Sequence, residues 1–183
     1  PRTLALATSQ LTVLINTIIA STLAVGSIAV LNLVDNIYSL PVSLFGISLA
    51  VALFPLFSEL AVEGKRKELA LTLNQSLRQV AFFVLPVMFF YWLLRAQIVR
   101  LILGAGLFGW EETRFAISVL AFITFGMIGS ATLPIFARVF YAYKDTLTPF
   151  LVGLMALVVD LVAALFLIPY LEVVGLALAI SVA

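Results

Sequence analysis

The chain has 183 residues, of which 64% are hydrophobic and 10% are charged, and its formal net charge at pH 7 is +1. A water-soluble domain carries about a quarter charged residues, so this composition excludes a soluble globule and predicts an integral membrane protein with several helices. The near-neutral charge argues against a nucleic-acid partner, and the lack of cysteine and histidine excludes disulfides, thiol nucleophiles and the common zinc sites.

Apolar runs long enough to cross a bilayer recur along the chain. A transmembrane helix needs about 20 apolar residues at ~1.5 Å each. Because Pro1 is not a start residue and Ala183 lies in an apolar run, we expect residues 1–183 to be part of a longer protein. The sequence predicts an all-α transmembrane bundle with five spans and the start of a sixth, at residues 3–25, 28–60, 80–94, 115–141, 150–168 and 173–183.

Proline and polar residues interrupt the predicted spans. The second span is too long for one simple crossing, and Pro41 is the expected bend point. Pro169 is expected to end the fifth span. Two polar stretches are expected to lie at the membrane interface, residues 62–79 as a short amphipathic helix and residues 95–114 as a segment that glycines break into a loop.

The basic residues of the connections indicate the orientation of the chain. Five spans that alternate in direction divide these residues into a set of seven and a set of three, and the larger set is expected to face the cytoplasm. The first span would therefore enter the membrane from the cytoplasmic side. The seven are Arg2, Lys65, Arg66, Lys67, Arg78, Arg138 and Lys144, and the three are Arg95, Arg100 and Arg114.

Two carboxylates lie inside predicted spans. Asp35 is on the outward half of the second span, and Asp160 is midway along the fifth. A charge in a membrane costs several kcal/mol unless water or a partner satisfies it, so both are candidates for a water-filled cavity or a coupling-ion site. The alternative is that each acid bonds a neighbouring helix, or is protonated, and only holds the packing.

Further polar residues accompany these acids. Asp35, Ser39 and Ser43 recur every four residues, which predicts one polar face that Asn36 widens and Gly46 extends. Such a stripe fits a cavity wall or, alternatively, close helix packing. The first span carries a similar set, which we interpret in the same way: Ser9, Gln10, Asn16 and Thr17.

Arg138 and Asp145 lie seven residues apart across the turn that follows the fourth span. We expect the two side chains to pair and to lock this hairpin. No nucleophile elbow, phosphate-binding glycine loop or closely spaced carboxylate pair is present in the sequence, and no cofactor or metal site is predicted. Enzyme function is therefore disfavoured.

Several longer stretches carry a family resemblance, and their order and spacing extend through the whole chain. They resemble the MurJ (MviN) family of lipid II flippases, in the superfamily that includes multidrug exporters and polysaccharide flippases. The stretches are "SQLTVLINTIIAS" at 9–21, "GSIAVLNLVDNIYSLPVSLFGISLAVALFPLFSE" at 26–59, "LNQSLRQVAFFVLP" at 73–86, "LILGAGLFGWEET" at 101–113 and "ARVFYAYKDTLTPF" at 137–150.

The resemblance implies a fold and a function. The chain would be a six-helix lobe, about helices 7–12 of a 14-helix two-lobed transporter, with its last helix truncated. The whole protein would move undecaprenyl-pyrophosphate-linked peptidoglycan precursor across the bacterial inner membrane by alternating access, as a monomer surrounded by membrane lipids. Its two lobes would rock around a central cationic cavity.

One departure from the family pattern falls inside the second stretch. Many family members have a basic residue directly after the aspartate, where it lines the cavity and helps to bind pyrophosphate, whereas this chain has Asn36. An amide can hydrogen-bond phosphate oxygens but supplies no charge. Two alternatives therefore stay open: transport of another polyprenyl-linked glycan, or a transport-inactive membrane scaffold.

Overall fold

Helices form all the regular secondary structure that this computed structural model describes, which covers residues 2–22, 26–103 and 110–182, with side chains described for 10–22, 26–102, 113–169 and 174–182. A π-helical segment, Val42–Ile47, joins the second and third helices, and a 3₁₀ turn, Thr124–Gly126, joins the fifth and sixth. The α-helices are α1 Arg2–Ser21, α2 Ser27–Pro41, α3 Ser48–Val62, α4 Arg66–Leu103, α5 Trp110–Ile123, α6 Met127–Ala142 and α7 Leu147–Val182.

Four helical stretches of the described chain are long and apolar enough to cross a membrane: Ser27–Val62, Arg66–Ile102, Thr113–Ala142 and Leu147–Pro169. A shorter apolar helix, Gln10–Ser21, precedes them. Large apolar side chains such as Phe82 and Phe166 are 72% and 73% exposed, which lipid would cover and water would not favour. The predicted all-α, multi-pass membrane fold is confirmed.

The third span is longer than the sequence suggests. The polar stretch 62–79 and the apolar run 80–94 were expected as separate segments, yet α4 continues from Arg66 through both of them to Leu103. No proline or glycine interrupts the polar part, and Leu69, Ser76 and Val80 are buried along one side of it. The change in polarity therefore does not end the helix. The expected glycine loop at 104–109 lies outside the described residues.

Helix α7 folds back on itself near its only internal proline, Pro169. A Cβ atom on Gly175 would lie 2.6 Å from the carbonyl oxygen of Leu167. Residues eight apart in a straight α-helix are about 12 Å apart along the axis, so the helix must turn sharply between these two residues. The expected end of the fifth span at residue 168 coincides with this turn.

The main core joins the second span to the helices that follow it. Val34 of α2, Phe57 of α3, Val84 of α4, Leu120 of α5 and Ile135 of α6 are fully buried together. A smaller cluster joins α1 to both arms of α7 and consists of Ala20, Ala164, Leu176 and Ala179. The small side chains in this cluster let the helices approach closely, as is usual in membrane bundles.

The predicted Arg138–Asp145 pair is not formed. Asp145 instead caps α7: its Oδ1 accepts the backbone N–H groups of Leu147 and Thr148, each at 3.0 Å, and its Oδ2 accepts the Thr148 hydroxyl at 2.6 Å. The guanidinium of Arg138 lies over the ring of Phe54, 5.4 Å from its centroid. Orphan N–H groups at a helix start are a nearer partner for the carboxylate than a side chain on the previous helix.

We expect Asp145→Ala to loosen the first turn of α7 and Asp145→Asn to preserve most of it, because asparagine is also a good N-cap. The hydrogen bonds from Thr148 lower the pKa of the Asp145 carboxyl below its ordinary value of 3.8. The stabilisation from this cap is therefore present above pH 3.8 and is lost as the pH falls through the lower folded-state pKa. Hydrogen exchange over residues 146–150 measures both effects. Equal exchange in the alanine and asparagine variants would contradict the cap.

Candidate functional site

A groove lined by polar and apolar residues lies between α1 and α2, the first two helices of the bundle. It has a volume of about 220 Å³ and is closed at its back by Ile123 of α5 and Ile180 of α7. The later half of α1, residues 12–20, and the first half of α2, residues 28–35, line it. Five polar residues line the groove: Thr12, Asn16, Thr17, Asn32 and Asp35.

Asp35 is the acidic residue of this groove. Its side chain is exposed on the surface of the isolated lobe, and the described part of the chain supplies no hydrogen bond to its carboxylate. Asn36 is exposed beside it but does not line the groove. The carboxylate is therefore available to water or to a ligand at the groove.

Asp35 and Ser43 of the predicted stripe line different cavities of the described lobe. The Ser39 hydroxyl donates to the Asn36 carbonyl at 3.0 Å, and the Ser43 hydroxyl donates to the Ser39 carbonyl at 2.7 Å. Ser43 lines a different cavity, beside α4, and Gly46 is buried against α6.

Asn16, which is half-buried and lines the groove, pairs with the buried Asp160 of α7. The Asn16 amide donates from Nδ2 to Oδ2 of Asp160 at 2.9 Å, and Asp160 is only 3% exposed. The remaining oxygens, Asn16 Oδ1 and Asp160 Oδ1, are buried and have no hydrogen-bond partner in the described structure. Such oxygens are costly in a membrane unless a proton, a water molecule or a cation satisfies them.

Asn16 connects this pair to the groove, because it lines the groove and also bonds Asp160. The Asn16 amide therefore lines the same groove as the exposed Asp35 and also bonds the buried Asp160. No group of three or more histidine, cysteine, aspartate or glutamate side chains in the described part of the chain could hold a metal ion.

The other predicted residues contribute less. Gln10 is exposed on α1 and does not line the groove, and the Thr17 hydroxyl bonds the carbonyl of Val13 in its own helix at 2.7 Å. The sequence reasoning missed Asn32, although it lies three residues before Asp35 and so shares its face of the helix. It also missed two tyrosines, Tyr38 and Tyr91, which bond across helices.

These features define a multi-pass membrane helix bundle with polar groups inside its spans, the class of protein to which transporters belong. The model of one family, described as "Lipid II flippase MurJ", matches residues 1–183. The chain therefore belongs to the lipid II flippase MurJ family.

Individual relatives agree with this assignment. A "Probable lipid II flippase MurJ" of Borreliella burgdorferi is 30% identical over 164 residues, which cover 90% of this chain and 32% of the relative. A "Lipid II flippase MurJ" of Burkholderia cenocepacia is 28% identical over 182 residues, covering 100% of this chain and 35% of the relative. The chain thus spans about a third of the length of the curated relatives it matches.

A solved structure has the same fold. The structure titled "Lipid II flippase MurJ, inward closed conformation" aligns with a TM-score of 0.86 at 25% sequence identity. The alignment covers 97% of this chain and 38% of that chain. The helix arrangement described above is therefore that of one part of a larger membrane transporter.

Proposed function

We propose that the whole protein containing this chain is a lipid II flippase of the bacterial inner membrane. It would carry the polyprenyl-pyrophosphate-linked peptidoglycan precursor from the inner to the outer leaflet by alternating access, as a monomer in contact with membrane lipids. The observation that carries this proposal is the match of all 183 residues to the MurJ family model. The polar side chains of the groove support it, because a pyrophosphate and its sugar-peptide headgroup cannot cross about 30 Å of hydrocarbon without polar groups along the path.

Within this function we assign the groove to the wall of the transport cavity. Asp35 and Asn32 offer an acceptor and an amide to a polar headgroup, and Asn36 lies beside them on the exposed side of α2. The buried Asn16–Asp160 pair is assigned to coupling, as a proton or small-cation site whose occupancy changes during the cycle. The unpartnered oxygens of this pair support that role.

Asn36 favours a second candidate substrate. A basic residue at this position would pair with pyrophosphate, whereas an amide fits an uncharged sugar as well as a phosphate oxygen. The alternative is therefore the transport of another polyprenyl-linked glycan by the same mechanism. The two candidates differ in whether the whole protein moves lipid II.

The experiment places the full-length protein in vesicles with lipid II that carries a fluorescent headgroup. A membrane-impermeant reductant quenches only the headgroups on the outer leaflet, so transport converts the protected fraction into a quenchable one. We expect quenching to exceed the half that protein-free vesicles show. Quenching that stays at one half with folded protein would contradict a lipid II flippase.

In the same vesicles we expect Asp35→Ala to slow transport about tenfold, the effect of losing a hydrogen bond that involves a charged group. Glu59→Ala is the matched control, because Glu59 is exposed on α3 and does not line the groove. Asn36→Arg should be tolerated, since the side chain is exposed and has room for a longer one. If transport were equally fast with Asp35→Ala and with Glu59→Ala, Asp35 would not belong to the wall of the transport cavity.

A further inference from the structure

Pro41 leaves a gap in the hydrogen bonding of the second span. The N–H of residue 41 would normally donate to the carbonyl of Ile37, four residues earlier, but proline has no N–H. The Tyr91 hydroxyl on α4 donates to this carbonyl at 3.2 Å. A side chain 54 residues away therefore supplies the donor that the helix itself lacks.

The backbone beyond Pro41 is also irregular. Residues Val42–Ile47 are π-helical, and Ser43 and Ser48 donate to carbonyls of their own helix, at 2.7 Å to Ser39 and 3.0 Å to Ser43. Serines that bond back to the helix replace lost backbone bonds and favour bending. A cavity of about 470 Å³ lies directly beside this segment, lined by Pro41, Ser43 and Tyr91 among others.

The two ends of the irregular segment are held in different ways. On its N-terminal side, the Tyr38 hydroxyl of α2 donates to the Ser130 hydroxyl of α6 at 2.6 Å. Within it, Gly46 lies against the backbone of α6, where an added Cβ would be 2.8 Å from the Ala131 Cα. Besides the apolar packing of Val34 in the main core, the N-terminal half of the span is held by single hydrogen bonds that can open, whereas the contact at Gly46 is backbone against backbone.

We propose that residues 41–48 form a hinge in the second span and that Tyr91 is the positioning residue that latches it. The span pivots at Gly46, and the hydrogen bond from the Tyr91 hydroxyl to the Ile37 carbonyl holds the N-terminal half of the span, which carries Asp35 and Asn36. Release of the latch lets this half bend into the neighbouring cavity. Its consequence for transport rests on the proposed function, because the half that moves carries the residues assigned to the transport cavity.

The test is a double-mutant cycle in the full-length protein. Tyr91→Phe removes only the hydroxyl, and we expect hydrogen exchange over residues 36–48 to become about fivefold faster, the effect of losing one hydrogen bond. Pro41→Ala restores the missing N–H in a backbone that is already helical, with φ −68° and ψ −32°. In that background Tyr91→Phe should have no effect, because the Ile37 carbonyl has a donor in its own helix.

Tyr143→Phe is the matched control, since Tyr143 is 43% exposed beyond the end of α6 and should leave this exchange unchanged. Spin labels at Ile28 and Val62 report the bend itself: Tyr91→Phe should broaden their distance distribution, and Pro41→Ala should restore it. If Tyr91→Phe accelerated hydrogen exchange equally with Pro41 and with Ala at position 41, Tyr91 would have a packing role only. An unchanged exchange rate or distance distribution would overturn the hinge. Neither measurement requires transport, so a protein with this behaviour that does not move lipid II contradicts the proposed function alone.

Discussion

Gly46→Ala is expected to destabilise this lobe severely, although it adds a single methyl group. The new Cβ would overlap the carbonyl oxygen of Ala131 and lie 2.8 Å from its Cα. Backbone atoms cannot rotate away as a side chain can, so α6 would have to move away from the second span. Overpacking of this kind costs about 1–3 kcal/mol, and occasionally more. The thermal midpoint of the full-length protein in detergent should fall, and its monodisperse fraction should shrink.

Gly153→Ala is the matched control for this prediction. Gly153 also lies inside a span helix, but nothing stands within 4 Å of the position that its Cβ would take. Alanine is the better helix former, so this variant should be as stable as the parent or slightly more stable. If Gly46→Ala behaved like Gly153→Ala, the close approach of the second span to α6 would be disproved.

Asp160→Asn should abolish coupling while leaving the fold intact. The asparagine oxygen can still accept the hydrogen bond from Asn16, so the buried contact survives. The variant can neither carry a negative charge nor take up a proton, and we expect transport in vesicles to fall at least about tenfold, the scale of a lost charge-assisted interaction. Asp160→Ala should lose stability as well, by about 1–3 kcal/mol, because the buried Asn16 amide then has no acceptor.

Asp145→Asn is the control for this experiment, because it neutralises an acid outside the spans and keeps the helix cap. Its transport should equal that of the parent. Full transport by Asp160→Asn would leave the Asp160 carboxylate with a packing role only. The sequence alone allowed both readings, and this comparison separates them.

Composition was sufficient to predict the class of fold. A chain with 10% charged residues has too little polar surface for a soluble domain, and apolar runs of helical length account for the spans. A π-helical segment begins directly after Pro41, the residue at which the sequence predicts a bend. Helix ends were less predictable: α4 continues through a polar stretch because polarity marks the edge of a membrane and does not interrupt a helix.

The site was only partly predictable, because its geometry depends on contacts between distant residues. Asn16 and Asp160 were each candidates, but their hydrogen bond joins positions 144 residues apart. The period-four spacing groups Ser43 with Asp35, yet the two residues line different cavities of the described lobe. The Asp145 carboxylate accepts backbone N–H groups two and three residues ahead, which lie closer to it than Arg138, the partner predicted from spacing.

Rescue of a depleted strain tests the central assignment most directly. The full-length gene would be expressed in bacteria whose own lipid II flippase can be switched off, and growth and cell shape would be followed after depletion. A lipid II flippase restores both, as a member of the family expressed from the same plasmid does. Lysis of the depleted cells, with the protein folded in their membrane at the level of that family member, would contradict the assignment.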